Sequence, residues 1–256
     1  MSDELVRERR GSTLVARLNR PEARNALNGA LIRGISSAIV DADSDPGIHA
    51  VVLTGTGDRA FCAGMDLRGF AEGEGSGGAP EDMDGFRRLI AGEVSVPVIG
   101  AANATAVAGG FELLLACDII VASSAAQFGL PEVKRGLFAG GGGTFLGTRL
   151  PLGIALEITL TGDSIDAERA YALGLINAVV PPDDVLPRAL EFADRIAANG
   201  PLGVAATKEL VRLAVTDHAR AHVRLAELQQ SVFGSQDAKE GALAFVEKRA
   251  PVWQGR

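Results

Sequence analysis

The chain has 256 residues, 47% of them hydrophobic and 22% charged, with a formal net charge of −7. That length and balance fit one large domain, or a core with an appendage, and exclude a chain disordered throughout. With a pI near 5.1 and no dense Lys/Arg run, nucleic acid is a poor partner.

The first residues, "MSDELVRERRG", mix both charge signs and contain no apolar stretch, so neither a signal nor a transit peptide is expected. No uninterrupted apolar run is long enough to cross a bilayer, and the expected compartment is the cytoplasm. Cys62 and Cys117 stand 55 residues apart, outside any metal-like spacing, and read as two small buried hydrophobes rather than a disulfide framework. A slightly positive mean hydropathy of +0.18 leaves apolar area for contacts between subunits.

Residues 12–18 alternate as a strand does, residues 27–42 carry apolar groups at helical spacing, and "IHAVVLTG" (48–55) is a β-branched run ending in glycine. Strand, helix, strand implies an α/β unit with a buried sheet. "GTGDRA" (55–60) fits the GxGxxA spacing of a dinucleotide loop, but "FCAGMD" follows where a helix would have to begin. No glycine cluster leads into Gly-Lys-Ser/Thr, so a P-loop is excluded too. The Gly-, Glu- and Ser-rich stretch 70–82 reads as a surface loop. A helix is expected to about residue 93, then a strand in "PVIGAANA" (97–104), a helix in "GGFELLLAC" (109–117) and a strand in "DIIVAS" (118–123).

Beyond residue 151 the pattern changes to successive amphipathic helices, ending with "SQDAKEGALAFVEKRAP". Among the three histidines, His218 and His222 have the i, i+4 spacing a metal can use. No acidic or HExxH partner accompanies them, so they read as a solvated helix face. No GxSxG is present to start a Ser–His–Asp triad.

Glu112 is the anomaly. It is a carboxylate in an otherwise apolar helix, costly to bury unless it is paired or used. Gly109, three residues earlier, lies on the same side of the first turn, where backbone N–H groups lack helical partners and carry partial positive charge. A first-turn glutamate that only complements the helix dipole is the plainer alternative. Downstream, Glu132 follows Leu-Pro and precedes the glycine run 140–143; upstream, "AFCAGMDL" offers a second glycine-flanked amide. Two acids and two free amides suit chemistry at a carbonyl, with the amides holding an oxyanion and the acids moving protons.

The stretches "LNRPEARNALN", "AFCAGMDL", "AANATAVAGGFELLLACDIIVAS", "AQFGLPEVKRGL", "GGGGTFLGTRL", "LTGDSIDAERAYALGLINAVVP" and "EGALAFVEKRAP" together resemble the crotonase superfamily, also called the enoyl-CoA hydratase/isomerase family. The resemblance runs in family order from about residue 14 to residue 253. The resemblance implies an α/β fold: a crotonase-like spiral of ββα units over residues 1–195, bearing the acyl-CoA site, and a helical oligomerisation region over 196–256. It implies a homotrimer or a hexamer built as a dimer of trimers, an acyl-CoA thioester as substrate, no membrane partner, no metal, and no cofactor beyond the CoA that the substrate carries.

By the same resemblance the N–H groups of Met65 and Gly109 are the oxyanion donors, and Glu112 and Glu132 are the catalytic pair. Arg24, Ala63, Asp66, Leu67, Phe245 and Lys248 contact substrate or CoA, the last two from a neighbouring subunit, and Phe138 helps shape the acyl pocket with the 66–90 stretch. Both glutamates together imply an enoyl-CoA hydratase, adding water syn to a trans-2-enoyl-CoA. An enoyl-CoA isomerase, a carnitinyl-CoA-type dehydratase and a non-catalytic acyl-CoA-binding protein are the alternatives. Typical hydratases carry proline near position 139 and Gln-Arg-Leu near 145; this chain has Ala139 and Phe145-Leu146, which bears on the pocket behind Glu132.

Overall fold

The computed structural model describes residues 4–67 and 80–256. Most of the 70–82 stretch read above as a loop lies outside them. The elements in chain order are β1 (Leu5–Arg10), β2 (Thr13–Leu18), α1 (Gly29–Ser44), β3 (Ala50–Gly55), α2 (Asp84–Ala91), β4 (Val98–Ala102), β5 (Ala106–Val107), α3 (Gly109–Ala116), β6 (Ile119–Ser123), β7 (Gln127–Gly129), α4 (Leu152–Thr161), β8 (Ile165–Asp166), α5 (Ala167–Ala172) and β9 (Ala178–Val180). Four longer helices close the chain: α6 (Val185–Ala197), α7 (Pro201–Thr216), α8 (His218–Phe233) and α9 (Gln236–Glu247).

Six strands form one sheet in the order β1-β2-β3-β4-β6-β9, antiparallel at β1–β2 and parallel thereafter. A parallel sheet needs cover on both faces. In β3 the alternation supplies it: Val51 and Leu53 join the cluster holding Leu31, Ile35 and Ile39 of α1, while Val52 faces Val185, Ala189 and Ala193 of α6. Helix α1 starts where Asn28 accepts the Leu31 N–H at 2.9 Å, a side-chain cap for one of the orphan donors. The small sheet β5-β7-β8 carries the chain into α3 through β5, and β6 of the large sheet follows the helix.

Strand β1 is the element that periodicity does not reveal. Only Leu5 of its six residues is buried, so no apolar alternation marks it. Its arginines hold it in place instead: Arg7 pairs with Asp41 at 2.7 Å and Arg9 with Asp45 at 2.9 Å, both on or just after α1. A charged edge also discourages pairing with another chain.

The helical tail is fastened to the core beneath α3. Asp118, just after that helix, accepts from the Val98 N–H, from Lys208 Nζ at 2.8 Å and from Arg212 Nε at 2.9 Å. Arg212 also donates to the Ala116 carbonyl at 2.9 Å, so α7 delivers positive charge to the C-terminal end of α3, where the helix dipole favours it. Burial holds the Lys208 amine below its ordinary pKa, and Asp118 opposes that shift.

Both cysteines are free and buried, and burial raises each thiol to about 12. His218 and His222 stack with ring centroids 4.7 Å apart. Among the described residues, no group of three or more His, Cys, Asp and Glu side chains could hold a metal, and no helix is long and apolar enough to cross a membrane.

Candidate active site

Helix α3 is apolar on all sides, and Glu112 is buried with it at 7% exposure. Its partners are not in its own helix. Glu112 Oε1 accepts the N–H of Gly141 at 2.7 Å and of Gly143 at 2.9 Å. Three positions of this turn, Gly141, Gly142 and Gly143, have little tolerance for a side chain, Gly142 because of its φ of +105. A Cβ on Gly141 would lie 2.7 Å from Glu112 Oε2, and one on Gly143 would meet the Ala139 Cβ at 2.7 Å. The carboxylate therefore reaches across to the 140–143 run rather than capping α3. Burial raises its pKa, and the two amides, which favour the ionised form, act against that rise.

Glu132 comes from a single 3₁₀ turn, residues 131–135, that begins with Pro131. It is half-buried, and its Oε2 is buried without a hydrogen-bond partner. Burial is the main cause of its raised pKa; the charge of Glu112 adds to the rise, while its own backbone N–H and Arg135 work the other way. Two carboxyl groups near enough to feel each other resist double ionisation. The structure makes them unequal, one with two charge-assisted bonds and the other with an orphaned oxygen.

The amides come together through close backbone contact. Gly64 has φ +92, and a Cβ on it would meet the Ala108 Cβ at 2.7 Å and the Gly109 nitrogen at 3.2 Å. Ala108 itself sits at φ 51, ψ −134, a strained setting for a residue with a side chain. A Cβ on Gly110 would lie 2.2 Å from the Cys62 carbonyl oxygen. The 62–66 loop thus rests directly on the start of α3. The Met65 nitrogen is 3.7 Å from the point where a Gly109 Cβ would stand. Leu27 brackets Met65 by donating to the Gly64 carbonyl at 2.7 Å and accepting from the Asp66 N–H at 2.9 Å. The Met65 N–H itself is left free of both bonds, and neither it nor the Gly109 N–H donates to an acceptor among the described residues.

The remaining sequence candidates separate into groups. Arg24 is exposed in a left-handed conformation and lines a cavity of about 160 Å³ with Pro21, Thr56 and Arg59. Ala63 donates to the Arg24 carbonyl at 3.1 Å, which links that cavity to the Met65 loop. The Asp66 carboxylate is engaged by Arg20, and Leu67 is exposed at the edge of the described segment. Phe138 is exposed, with its ring 3.7 Å from where a Gly140 Cβ would lie. Phe245, 86% exposed, and Lys248 are on the last turn and C-cap of α9, which packs chiefly on α8 and not on this site. Sequence reasoning missed Gly141 and Gly143 as the holders of Glu112. It also missed Arg20 and Asn25, which lie inside the stretch where only Arg24 was singled out.

A profile of the enoyl-CoA hydratase/isomerase family matches residues 8–256. The chain belongs to the enoyl-CoA hydratase/isomerase family. An enoyl-CoA hydratase of Mycobacterium tuberculosis is 41% identical to this family member over 99% of the chain and 97% of the relative. A carnitinyl-CoA dehydratase of Proteus mirabilis is 38% identical over the full length of both. A crystal structure of a probable enoyl-CoA hydratase/isomerase from Mycobacterium abscessus superposes with TM-score 0.91 at 45% identity, covering all of both chains. One of a carnitinyl-CoA hydratase from Mycobacterium avium superposes with TM-score 0.80 at 43% identity, again over all of both. The fold is accordingly the α/β crotonase type with a helical C-terminal region, and acyl-CoA thioesters are the family's substrate class.

Proposed function

We propose that the chain is an enoyl-CoA hydratase that adds water syn across the double bond of a trans-2-enoyl-CoA to give a 3-hydroxyacyl-CoA. The observation that carries this reading is the unequal pair of acids beside two unpartnered amides. Glu112, held by two N–H groups, is suited to the ionised state and removes a proton from the attacking water. Glu132, with an oxygen left bare in a desolvated setting, is suited to the protonated state and delivers its proton to Cα. As the water oxygen bonds to Cβ, the C=C electron pair moves toward the thioester and the carbonyl oxygen gathers negative charge. The N–H groups of Met65 and Gly109 stabilise that charge, each worth roughly 3–4 kcal/mol in sites of this type. Collapse of the enolate with protonation at Cα completes the addition, and the proton on Glu112 passes through solvent back to Glu132. The step as written needs no cofactor beyond the CoA of the substrate.

Dehydration of a carnitinyl thioester is the second reading, favoured by relatives 38% identical over the whole chain. It runs the same proton transfers in reverse. A panel of straight-chain enoyl-CoA substrates and carnitinyl-CoA, followed by the ultraviolet absorbance of the conjugated thioester, separates the two. Loss of the enoyl absorbance with the straight-chain series is the expected result. Turnover of carnitinyl-CoA alone would transfer the assignment to the dehydratase, and binding without turnover of any substrate would leave an acyl-CoA-binding protein.

The working form is proposed to be a homotrimer or hexamer. Val211, Val215, Val223, Phe233, Phe245 and Val246 of α7, α8 and α9 are exposed in the single chain, more apolar surface than helices of one protomer usually leave bare. Phe245 and Lys248 would then contact CoA bound to a neighbouring protomer. Sedimentation of the active protein at three or six protomer masses is expected, and full activity at one protomer mass would refute it.

A further inference from the structure

We propose that Arg20 and Asp66 form a positioning pair that sets the angle of the Met65 oxyanion donor. The inference rests on the proposed role of the Met65 amide.

Arg20 Nη2 donates to Asp66 Oδ2 at 3.0 Å, and Arg20 Nη1 donates to the Ala26 carbonyl at 2.6 Å. One guanidinium therefore grips both sides of the Leu27–Met65 bridge: Ala26 precedes Leu27, and Asp66 follows Met65. The pair is sheltered, with side-chain exposures of 15% and 24%, and Glu4 Oε1 stands 3.6 Å from Arg20 Nε on the outer side. Asn25 fixes the arginine's own backbone. Fully buried in a left-handed conformation, it accepts from the Arg20 N–H at 2.9 Å and donates to the Thr56 and Ala60 carbonyls at 3.0 and 2.9 Å. The whole 20–27 segment thereby acts as a bracket for the 60–66 loop.

The pair acts on the donor through geometry. A misplacement of about 1 Å in a catalytic group can cost on the order of 10²-fold in rate, and the Met65 N–H has no acceptor among the described residues to hold it. Loss of the Arg20 guanidinium releases the Ala26 and Asp66 anchors together, whereas loss of the Asp66 charge loosens one of them.

The test uses the full chain and three variants: Asp66→Asn, Arg20→Gln and Arg20→Lys. The readouts are the carbonyl stretching frequency of a bound, carbonyl-labelled enoyl thioester, which reports polarisation by the oxyanion donors, and the separate kcat and KM values. Asp66→Asn is expected to lower kcat on the order of tenfold with KM nearly unchanged, and Arg20→Gln on the order of 10²-fold. In both, the bound carbonyl should move back toward its free frequency. Arg20→Lys should fall between parent and Arg20→Gln, since an ammonium restores charge but not the two-sided grip. Should Arg20→Gln fail to fold, Asp66→Asn still decides, because it keeps the shape of the side chain and weakens its hold on Arg20. If the parent polarises the carbonyl and folded Asp66→Asn does so equally at parental kcat, the positioning role is overturned. If the parent leaves the carbonyl at its free frequency, the oxyanion reading of Met65 falls instead, and the pair's role with it.

Discussion

Glu132→Gln is expected to bind enoyl-CoA as the parent does and to turn it over about 10²–10⁴-fold more slowly, the range that general acid–base help is worth. The amide keeps the volume of the side chain and leaves the Met65 and Gly109 donors in place, so KM should change little while kcat collapses. Glu112→Gln should be comparably slow, with a further handicap. The amide that replaces its carboxylate must still accept from both Gly141 and Gly143 at Oε1, and it is a weaker acceptor there than a charged oxygen.

The pH dependence distinguishes the two roles. Both side chains have raised pKa values, with burial as the leading cause in each. The base must be ionised, so the rate should fall as pH drops through the raised Glu112 titration. The acid must be protonated, so it should fall again as pH climbs through that of Glu132. The limbs belong to the coupled pair rather than to either group alone. In Glu132→Gln the residual activity should lose its alkaline limb, and the like-charge contribution to Glu112 disappears with it. Retention of that limb at full height would remove Glu132 from the acid role.

Stability should move the other way. A carboxyl whose folded pKa lies above its unfolded one favours the native state fully only below the unfolded pKa, and that contribution is lost as pH rises through the folded value. At neutral pH the buried acids therefore work against folding. The glutamine variants should melt above the parent at neutral pH and match it in acid. A site that stabilises the protein when it is disabled has been retained for its chemistry.

Glu112 and Gly109 are legible in the sequence because they share one helical turn, and the odd carboxylate stands out among Phe111, Leu113 and Leu114. The helical tail is legible because its apolar spacing repeats over several turns. What cannot be read locally are contacts between distant segments. The amides that hold Glu112 lie 29 and 31 residues away, and Arg20 and Asp66 are separated by 46. Nothing in "AGGGGTF" says which glycine N–H turns inward until the fold places α3 behind it. The family resemblance supplied the roles of Met65 and Glu132 but not the reason Glu112 and Glu132 differ in hydrogen bonding. Strand β1 escaped notice because arginine–aspartate pairs, rather than buried apolar residues, hold it to α1.

Gly141→Ala offers a test of the site in which no ionisable group is touched. Gly141 does not occupy the left-handed region, unlike Gly142 at φ +105, so an alanine there is free of conformational penalty. Its methyl, however, would lie 2.7 Å from Glu112 Oε2 and 3.1 Å from its carboxyl carbon. Two heavy atoms cannot remain so close, so one of the two groups must shift. Either the carboxylate rotates off the Gly141 and Gly143 amides or the 140–143 turn moves back and carries those amides away. Both responses strip the base of the bonds that keep it ionised and aimed. A loss of kcat on the order of 10²-fold is expected, with the acid limb of the pH profile displaced upward as the stabilising amides withdraw. Overpacking of this kind typically destabilises by about 1–3 kcal/mol, which chemical denaturation would register without loss of the fold. Gly140→Ala is the matched control. Its methyl would meet only the Phe138 ring and carbonyl, at 3.7 and 3.9 Å, both ordinary contacts, so kcat and the pH profile should stay close to the parent's. Equal behaviour of the two alanine variants would mean that the clamp on Glu112 does not govern the base, and that the assignment of base and acid from their unequal hydrogen bonding is wrong.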